Sequence, residues 1–361
     1  MAKGGRVSNA SRSGRASKAS SSRPVPAQNA ESEGAGRRPV PQSLQQKCLN
    51  IFRDALKPSE EDSEVLQQVK GHLYNRAFST AFGKQEYLRV YASRWSPSRA
   101  LAYLQILRDV QHLVLADDAV RQADDGGMRK LVSLGGGAGA ELVAIAGWLS
   151  TIREADDNHR IEAHFLDVAA WDMTVQELRR RAVIPPEISR YASAAAKEAN
   201  RALLSDESFA VQYSQQDLLH WDEHSQRATL ANAKLVTLMF TLNELYSTSM
   251  QKTQNFLKQL TWVMSPGEFL LVVDSPGSYS TVSINGAEKK YPMQWLLDFT
   301  LLEAPQIDMH GQGGPAKWQK VMSDESRWFR LLEGLQYPIE LENMRYQIHL
   351  YRKLGDGEAV V

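Results

Sequence analysis

The chain has 361 residues, 43% of them hydrophobic, which is enough for a packed core in one large or two modest domains. Its 42 basic and 42 acidic side chains give a formal net charge of zero, so no overall field favours or excludes a polyanionic partner. A single cysteine, Cys48, excludes an intramolecular disulfide, and the absence of an apolar run of about 18–20 residues excludes a membrane-spanning helix.

Residues 1–42 are dominated by Ser, Ala, Gly, Arg, Asn and Pro, and their only branched aliphatic side chains are three valines. Such a segment cannot offset the entropy lost on ordering, so we predict a disordered basic tail. Eight Lys or Arg and only two acids fall within residues 1–45, which leaves a net charge of −6 on the remainder. The tail either aids solubility or serves as a weak electrostatic arm for nucleic acid or nuclear targeting.

Apolar side chains recur at helical spacing from Ser43 to about Leu115 and predict an N-terminal helical subdomain over residues 43–125. Residues 58–61, Pro-Ser-Glu-Glu, resemble a helix start with acids in the first turn. Ser96 and Pro97 resemble a second start, with Ser96 as the cap and Pro97 at the first helical position.

From residue 126 to 361 short apolar runs alternate with helical stretches, which predicts an α/β domain with a doubly wound parallel sheet. The predicted strands are residues 130–134, 164–166, 209–213, 235–240 and 269–273. Helices are predicted from Ala140, near residues 175–181 and near residues 249–264. Residues 337–341 and 346–350 are predicted to close the sheet as an antiparallel pair.

The first of these strands, Leu131-Val132-Ser133-Leu134, runs into a glycine-rich turn that precedes the helix from Ala140. Glycine permits positive φ and removes the Cβ atoms that would keep a ligand from the backbone, while the helix start offers free N–H groups. Strand, turn and helix together predict a cofactor site rather than an ordinary loop. Its candidate residues are Gly135, Gly136, Gly137, Gly139 and Glu141.

The identity of the cofactor depends on what surrounds the turn. The looser dinucleotide pattern also fits Gly135, Gly137 and Ala140, so a nicotinamide or flavin enzyme is an alternative. Against it, the turn lies far from the N-terminus, the next acid at a strand end comes late, and Glu141 follows the turn directly, where it can approach a cationic methionyl group. No Gly-Lys-Ser/Thr ending is present, which excludes a P-loop. We therefore predict an S-adenosylmethionine-dependent methyltransferase.

Polar residues that follow the later strands extend this predicted site. Asp167, after the second strand, is placed to accept both ribose hydroxyls, although Asp172 competes for that role and a solvated loop acid is the alternative. Gln216 and Asp217, after the third strand, are candidates for the adenine amine. Thr241, after the fourth, completes the candidate cofactor set.

Residues just beyond the fourth strand are expected to face the transferred methyl, because ligands bind outside the carboxyl ends of strands in such sheets. The candidates are Asn243, Glu244 and Tyr246, with a helix cap as the alternative for Asn243. This segment is not an Asn/Asp-Pro-Pro-aromatic turn, which disfavours exocyclic amines, and the position of Cys48 in a helix disfavours thiolate chemistry at pyrimidine carbon 5. The methyl acceptors that remain are a ring nitrogen, an oxygen or a nucleophile outside nucleic acid.

Two further patterns have competing interpretations. His220 and His224 stand at i, i+4 spacing, but a polar loop explains them better than a metal site, and we expect no metal. Basic and aromatic residues interleave between positions 87 and 99, where they either stack on unpaired bases or form a helical face over the core; they are Tyr87, Arg89, Tyr91, Arg94, Trp95 and Arg99.

From Ser43 to the C-terminus the sequence resembles the fungal 25S ribosomal RNA uridine-N3 methyltransferase family. The matching residues are His72-Leu73-Tyr74-Asn75-Arg76, Ala81-Phe82-Gly83, Tyr91-Ala92-Ser93-Arg94-Trp95-Ser96-Pro97-Ser98-Arg99-Ala100-Leu101-Ala102-Tyr103 and the glycine turn. The glycine turn is common to many methyltransferases, whereas the string through Tyr103 is much narrower.

This resemblance implies methylation at N3 of a uridine in large-subunit rRNA, by a class I methyltransferase fold. We expect a monomer that acts on this RNA or on a pre-ribosome in the nucleus, nucleolus or cytoplasm. N3 carries a proton at neutral pH, so a base is needed; Glu244 is the first candidate and Tyr246 the second. The uridine must be unpaired or flipped out. The alternatives are a methyltransferase for a protein or small molecule, and a ribosome-assembly factor that binds the cofactor without turnover.

Overall fold

Five parallel strands form the centre of the sheet in the computed structural model, which describes residues 39–116, 128–277, 279–284, 287–303, 306–307, 313–314, 317–355 and 358. They are β1 (Met128–Leu134), β2 (Arg160–Asp167), β3 (Phe209–Gln215), β4 (Ala233–Met239) and β5 (Phe269–Asp274). Their order is β3-β2-β1-β4-β5, so the direction of winding reverses at β1 and the carboxyl ends of all five strands meet at one edge. A crevice for a ligand is expected at such a reversal.

Two antiparallel strands extend this sheet beyond β5. Two short hairpins come first along the chain: β6 (Tyr279–Ile284) with β7 (Ala287–Pro292), and β8 (Gln306–Ile307) with β9 (Gly313–Gly314). β10 (Trp318–Phe329) and β11 (Met344–Lys353) then join the sheet, with β11 between β5 and β10 and antiparallel to both. The prediction of a doubly wound α/β sheet is confirmed.

Helices cover both faces of the sheet. They are α1 (Gln42–Leu56), α2 (Ser63–Tyr74), α3 (Phe78–Ala81), α4 (Gln85–Val114), α5 (Ala140–Arg153), α6 (Asp172–Val183), α7 (Ala194–Ala199), α8 (Glu223–Leu230), α9 (Leu242–Thr248), α10 (Met250–Val263) and α11 (Met293–Asp298). Short 3₁₀ turns lie at Glu60–Asp62, Asp206–Ser208 and Leu218–His220, and a π-helical turn at Phe299–Glu303. Within the described part of the chain no helix is long and apolar enough to cross a membrane.

The sheet separates two apolar clusters because side chains of a strand alternate between its faces. Leu131 of β1 points to a first cluster with α1, α4, α5 and α6, whereas Val132 and Leu134 point to a second cluster with α8 to α11. The N-terminal helices therefore share a core with the sheet. Val40 is buried and its N–H donates to Gln105 Oε1 over 3.1 Å, so the folded region begins before α1. The rest of the predicted tail, residues 1–38, and the predicted boundary at 125–126 lie outside the described residues.

Ser59 caps the 3₁₀ turn that leads into α2, and its N–H donates to Asp62 Oδ2 over 3.1 Å, as the Pro-Ser-Glu-Glu pattern predicts. The second predicted helix start is wrong, because Ser96 and Pro97 lie inside the 30-residue helix α4. Proline has no N–H for the carbonyl four residues earlier, which is that of Ser93. The hydroxyl of Tyr337 donates to this carbonyl over 3.2 Å, so the helix continues through Pro97.

The prediction of a strand at residues 337–341 is also wrong, and the contact between Tyr337 and α4 explains why. This segment is irregular and packs on α4, where the Glu342 N–H donates to Ser98 Oγ over 3.0 Å and the Arg94 guanidinium donates to the Glu340 carbonyl over 3.2 Å. The partner of β11 is instead β10, an edge strand. Its many polar and charged side chains, and two shifts in its pairing register, hide the alternation that identifies a strand.

Candidate active site

The glycine turn joins β1 to α5 in a conformation that only small residues allow. Gly135 and Gly139 have φ of +87° and +83°, and the Gly135 N–H donates to the Leu166 carbonyl of β2 over 2.7 Å. A Cβ at Gly135 would lie 2.2 Å from Thr241 Oγ1, and one at Gly137 would lie 2.0 Å from the Trp171 ring. The turn is therefore held between the segments that follow β2 and β4, and its own backbone lies close to the crevice.

Ser96 supports this turn from within α4 and does not cap a helix. Its hydroxyl donates to the Ala138 carbonyl over 2.7 Å, from a buried position on α4. The N-terminal helices are thus tied directly to the glycine turn.

Asp167 ends β2 beside the turn. Its Oδ2 accepts the Gly137 N–H over 3.1 Å and its Oδ1 accepts the Ala169 N–H over 3.1 Å. Burial raises the pKa of this carboxyl, and the backbone donors only partly oppose that rise. Asp172, the competing candidate, is instead the first residue of α6.

A cleft of about 330 Å³ opens above the turn at the carboxyl ends of the strands. That volume is within the range of small-molecule sites. Seven of the predicted site residues line it: Gly135, Glu141, Asp167, Gln216, Asp217, Thr241 and Glu244. Gly136, Gly137 and Gly139 shape the turn without lining the cleft. Its walls are strongly aromatic and include Phe78, Phe82, Tyr91, Tyr103, Trp171 and Phe240.

Glu141, in the first turn of α5, has a buried carboxyl oxygen that no described residue contacts as a hydrogen-bond donor. The residue is 4% exposed, and this oxygen is its Oε1. Burial raises its pKa to about 8, although the Arg99 guanidinium acts in the opposite direction. A buried carboxylate is costly unless a cation pairs with it. The ammonium of a methionyl group has the charge that this site requires.

Gln216 and Asp217 lie at the far end of the cleft. The Gln216 N–H donates to the Asp167 carbonyl over 2.8 Å, which joins the ends of β2 and β3. Asp217 Oδ1 accepts the Leu219 N–H over 2.9 Å, while its Oδ2 lies 2.6 Å from His220 Nδ1. His220 Nε2 is in turn 2.5 Å from the Nζ of Lys252. His220 is therefore part of a hydrogen-bonded chain, and no group of three possible metal ligands exists among the described residues.

Of the three residues predicted to face the transferred methyl, the structure brings only Glu244 to the cleft. The residue is exposed at the mouth, yet the walls around its carboxyl raise its pKa to about 7 by desolvation, which Arg99 opposes and Asp274 reinforces. The expected placement of Tyr246 is wrong. Tyr246 is one helical turn from Leu242, and both side chains are buried in the second apolar cluster.

Asn243 also does not line the cleft, and it contributes through its backbone. Its N–H donates to Asp274 Oδ2 over 3.0 Å, and the Ser275 N–H donates to Asp274 Oδ1 over 2.8 Å. Burial raises the pKa of Asp274 to about 6. This carboxyl at the end of β5, which no sequence pattern indicated, fixes the start of α9 and so the position of Glu244.

Arg99 lines the cleft although it was outside the predicted catalytic and cofactor-binding residues. It lies on α4, its Nη1 donates to the Tyr91 hydroxyl over 3.1 Å, and its Cζ is 4.9 Å from the centroid of the Phe240 ring. Burial disfavours its charge, but Tyr91 and Tyr103 outweigh that effect and its pKa is raised. Its signal was the alternation of basic and aromatic residues around it.

The other members of that basic and aromatic pattern have mixed roles. The Tyr87 hydroxyl donates to Gln68, Arg89 forms an ion pair with Asp62, and Arg94 pairs with Glu342. These contacts are structural. Tyr91 lines the cleft with Arg99, and Trp95 lies 4.7 Å from the Tyr91 ring. The helical-face interpretation thus fits Tyr87, Arg89 and Arg94, and a site role is open to Tyr91, Trp95 and Arg99.

A parallel sheet with this strand order, a glycine turn after β1, an acid at the end of β2 and a final strand inserted antiparallel beside β5 define a class I, Rossmann-like S-adenosylmethionine-dependent methyltransferase. The comparisons agree. A protein family described as "Putative SAM-dependent methyltransferase" matches residues 51–352, and the chain belongs to that family.

The chain is also 32% identical over 336 residues to a Saccharomyces cerevisiae protein named 25S rRNA (uridine(2843)-N(3))-methyltransferase, and the match covers 85% of each chain. Among solved structures, the antibiotic-resistance methyltransferase Kmr is 14% identical, with a TM-score of 0.33 over 66% of this chain and 93% of its own. An O-methyltransferase family protein from Burkholderia thailandensis is 14% identical, with a TM-score of 0.32 over 82% and 71%. At such TM-scores neither structure bears on the site.

Proposed function

We propose that this methyltransferase modifies N3 of a uridine in large-subunit rRNA. The observation that carries the proposal is the position of Glu244, a carboxyl at the mouth of the cofactor cleft whose pKa is about 7. A uridine N3 must lose its proton as it is methylated, and a general base is most effective when its pKa is near the working pH. The yeast relative, similar over 85% of its length, is named for this reaction.

The cofactor in this proposal is held along the cleft by the residues already placed there. Glu141 binds the methionyl ammonium, Asp167 the ribose hydroxyls, and Gln216 and Asp217 the adenine. Gly135, Gly136, Gly137 and Gly139 let the backbone approach, and Thr241 closes the turn from β4. When bound, S-adenosylmethionine supplies an electrophilic methyl group whose bonding pair stays with sulfur.

Glu244 then takes the N3 proton and releases it to solvent, while the N3 electron pair forms the new bond to carbon. An exposed position favours this role because the carboxyl reaches both the cleft and bulk water. Tyr246 and Asn243, predicted alongside it, are assigned structural roles: Tyr246 packs in the core, and the N–H of Asn243 ties the first turn of α9 to Asp274.

An exposed tryptophan on the outer strands supports RNA as the substrate. Trp328 is 39% exposed, with the guanidinium carbons of Arg330 and Arg345 at 4.4 and 5.8 Å from its ring centroid. Aromatic faces flanked by arginine stack on unpaired bases and contact phosphates. We propose that the protein acts as a monomer on pre-ribosomal or ribosomal RNA in the nucleolus or cytoplasm.

The test is mass spectrometry of nucleosides from large-subunit rRNA of cells with and without this gene. Cells without it should lack one N3-methyluridine, and wild type should restore that nucleoside while Gly137→Arg should not, because a side chain at 137 collides with Trp171. An unchanged nucleoside profile would contradict the proposal and favour a protein or small-molecule substrate, or a cofactor-binding assembly factor without turnover.

A further inference from the structure

A second pocket of about 120 Å³ adjoins the cofactor cleft and shares two of its walls, Arg99 and Phe240. Its other lining residues come from α4 and from the segment that enters β11; they are Arg94, Trp95, Ser98, Glu342, Asn343 and Met344. One water in the liquid occupies about 30 Å³, so the pocket holds roughly four. It suits one small planar ring and is too small for a complete nucleotide.

We propose that this pocket receives the uracil ring of the target uridine, flipped out of its RNA. The assignment rests on the proposed function and adds the residues that recognise the base. An enzyme that acts on a base needs such a pocket, with an aromatic or apolar face for the ring and hydrogen bonds for its edge. The shared walls set the pocket beside the cleft where the methyl donor would bind.

Trp95 provides the stacking face. Its indole is partly buried, lines the pocket and packs against Tyr91 with 4.7 Å between ring centroids, so it is held in place before a base arrives. Phe240 forms a wall that the pocket shares with the cofactor cleft. It is a non-glycine residue with φ of +58°, a costly conformation that its N–H, donated to the Val273 carbonyl over 2.7 Å, helps to impose. Such strain persists where a particular side-chain position is needed.

The polar groups of the pocket favour uracil over cytosine. Asn343 Oδ1 accepts the Leu331 N–H over 2.9 Å, which fixes the amide and leaves its Nδ2 as a donor. Arg99 presents further N–H donors beside the one that it gives to Tyr91. Uracil carries a carbonyl acceptor on each side of N3, whereas cytosine has a donor amine on one side. Arg94 and Glu342 pair with each other and form the outer wall.

The cation of Arg99 has a second consequence for the same ring. When Glu244 takes the N3 proton, negative charge spreads to the two carbonyl oxygens of uracil. A guanidinium that faces both pocket and cleft stabilises that charge, and Tyr91 holds it in place. Arg99 is thus assigned to the base rather than to the carboxylate of the cofactor.

The test compares Trp95→Ala, Trp95→Phe, Asn343→Ala and a control, Asn158→Ala, an exposed asparagine in the loop before β2. The substrate is large-subunit rRNA from cells that lack the gene, and the readouts are kcat/KM for methyl transfer, Kd for S-adenosylhomocysteine and Tm. We expect Trp95→Ala and Asn343→Ala to lower kcat/KM by roughly 5- to 150-fold, the loss that follows removal of one base contact. Trp95→Phe should keep most of the wild-type activity. In all of these variants Kd for S-adenosylhomocysteine should change less than about twofold.

Three results would overturn the assignment. Activity of both variants within about twofold of wild type would show that the ring binds elsewhere. A parallel loss of S-adenosylhomocysteine affinity would assign the pocket to the cofactor, and a lowered Tm in both variants without rescue by Trp95→Phe would give these residues a purely structural role. If wild type itself transfers no methyl to this RNA, the proposed function fails, which is distinct from failure of the pocket alone.

Discussion

Replacing Glu141 with Gln preserves the shape of a buried carboxyl but removes its ability to lose a proton and pair with a cation. In the structure this group is 4% exposed, and none of the described residues donates to its Oε1. If it binds the methionyl ammonium, the variant loses one charge-assisted hydrogen bond, which contributes about 1.5–3 kcal/mol. At 1.36 kcal/mol per tenfold change, Kd for S-adenosylmethionine should rise about 10- to 150-fold.

The same residue predicts a proton count. Because the pKa of Glu141 is about 8, roughly nine in ten of these carboxyls are protonated at pH 7 in the free protein. An incoming cation lowers that pKa, so binding should release close to one proton, and affinity should rise from pH 6 to 8. Calorimetry in two buffers of different ionisation enthalpy measures this release.

The matched control is Glu154→Gln, an exposed acid just beyond the end of α5, which should bind like wild type and release the same proton. Glu141→Gln should bind weakly and release none. Unchanged affinity in Glu141→Gln, or proton release that survives the substitution, would refute the assignment of the ammonium to this carboxylate.

Three further predictions follow from the geometry. Gly135→Ala should lower the free energy of unfolding by about 1–2 kcal/mol because of its φ of +87°, and by about 1–3 kcal/mol more because the new Cβ clashes with Thr241. Gly71→Ala, with open space around its Cβ, should instead raise the free energy of unfolding by about 0.5–1 kcal/mol. Urea titration measures both changes, and equal effects of the two substitutions would contradict this account. Below pH 7 wild-type kcat/KM should fall about tenfold per pH unit as Glu244 gains a proton. Glu244→Gln should lose about 10²- to 10⁴-fold in kcat, and its kcat/KM should no longer fall below pH 7. A Glu244→Gln variant whose kcat/KM still falls below pH 7 would exclude Glu244 as the base. Tyr246→Phe should stay within about twofold of wild type in steady-state assays, and a large loss would return Tyr246 to the site.

Much of the fold could be predicted because the central strands are buried on both faces. β5 is a continuous apolar run up to Val273 for that reason, and β1 and β4 contain shorter apolar runs; such runs stand out in a sequence. β10 could not be found in this way, since an edge strand with solvent on one side carries many polar residues. The error at Ser96 and Pro97 has a different cause: the carbonyl freed by proline is satisfied by Tyr337, some 240 residues later in the chain.

The site also contains residues that local sequence could predict and residues that it could not. Gly135 and Gln216 directly follow their strands and Asp167 ends its strand. Because parallel strands bring their carboxyl ends together, the positions of these residues along the chain were sufficient to predict the site. Arg99 reaches the cleft from a helix that precedes the whole sheet, and only tertiary packing shows this. Tyr246 was misplaced because the direction of a side chain after β4 depends on where α9 begins.

The most direct test of the central claim uses purified protein, S-adenosylmethionine with an isotopically labelled methyl group, and large-subunit rRNA from cells that lack the gene. After digestion to nucleosides, mass spectrometry identifies the labelled product, with Glu244→Gln measured in parallel. We predict that the label appears in N3-methyluridine with wild type and is strongly reduced with the variant. Label in a different nucleoside, or none in RNA while a protein or small molecule becomes labelled, would contradict the account.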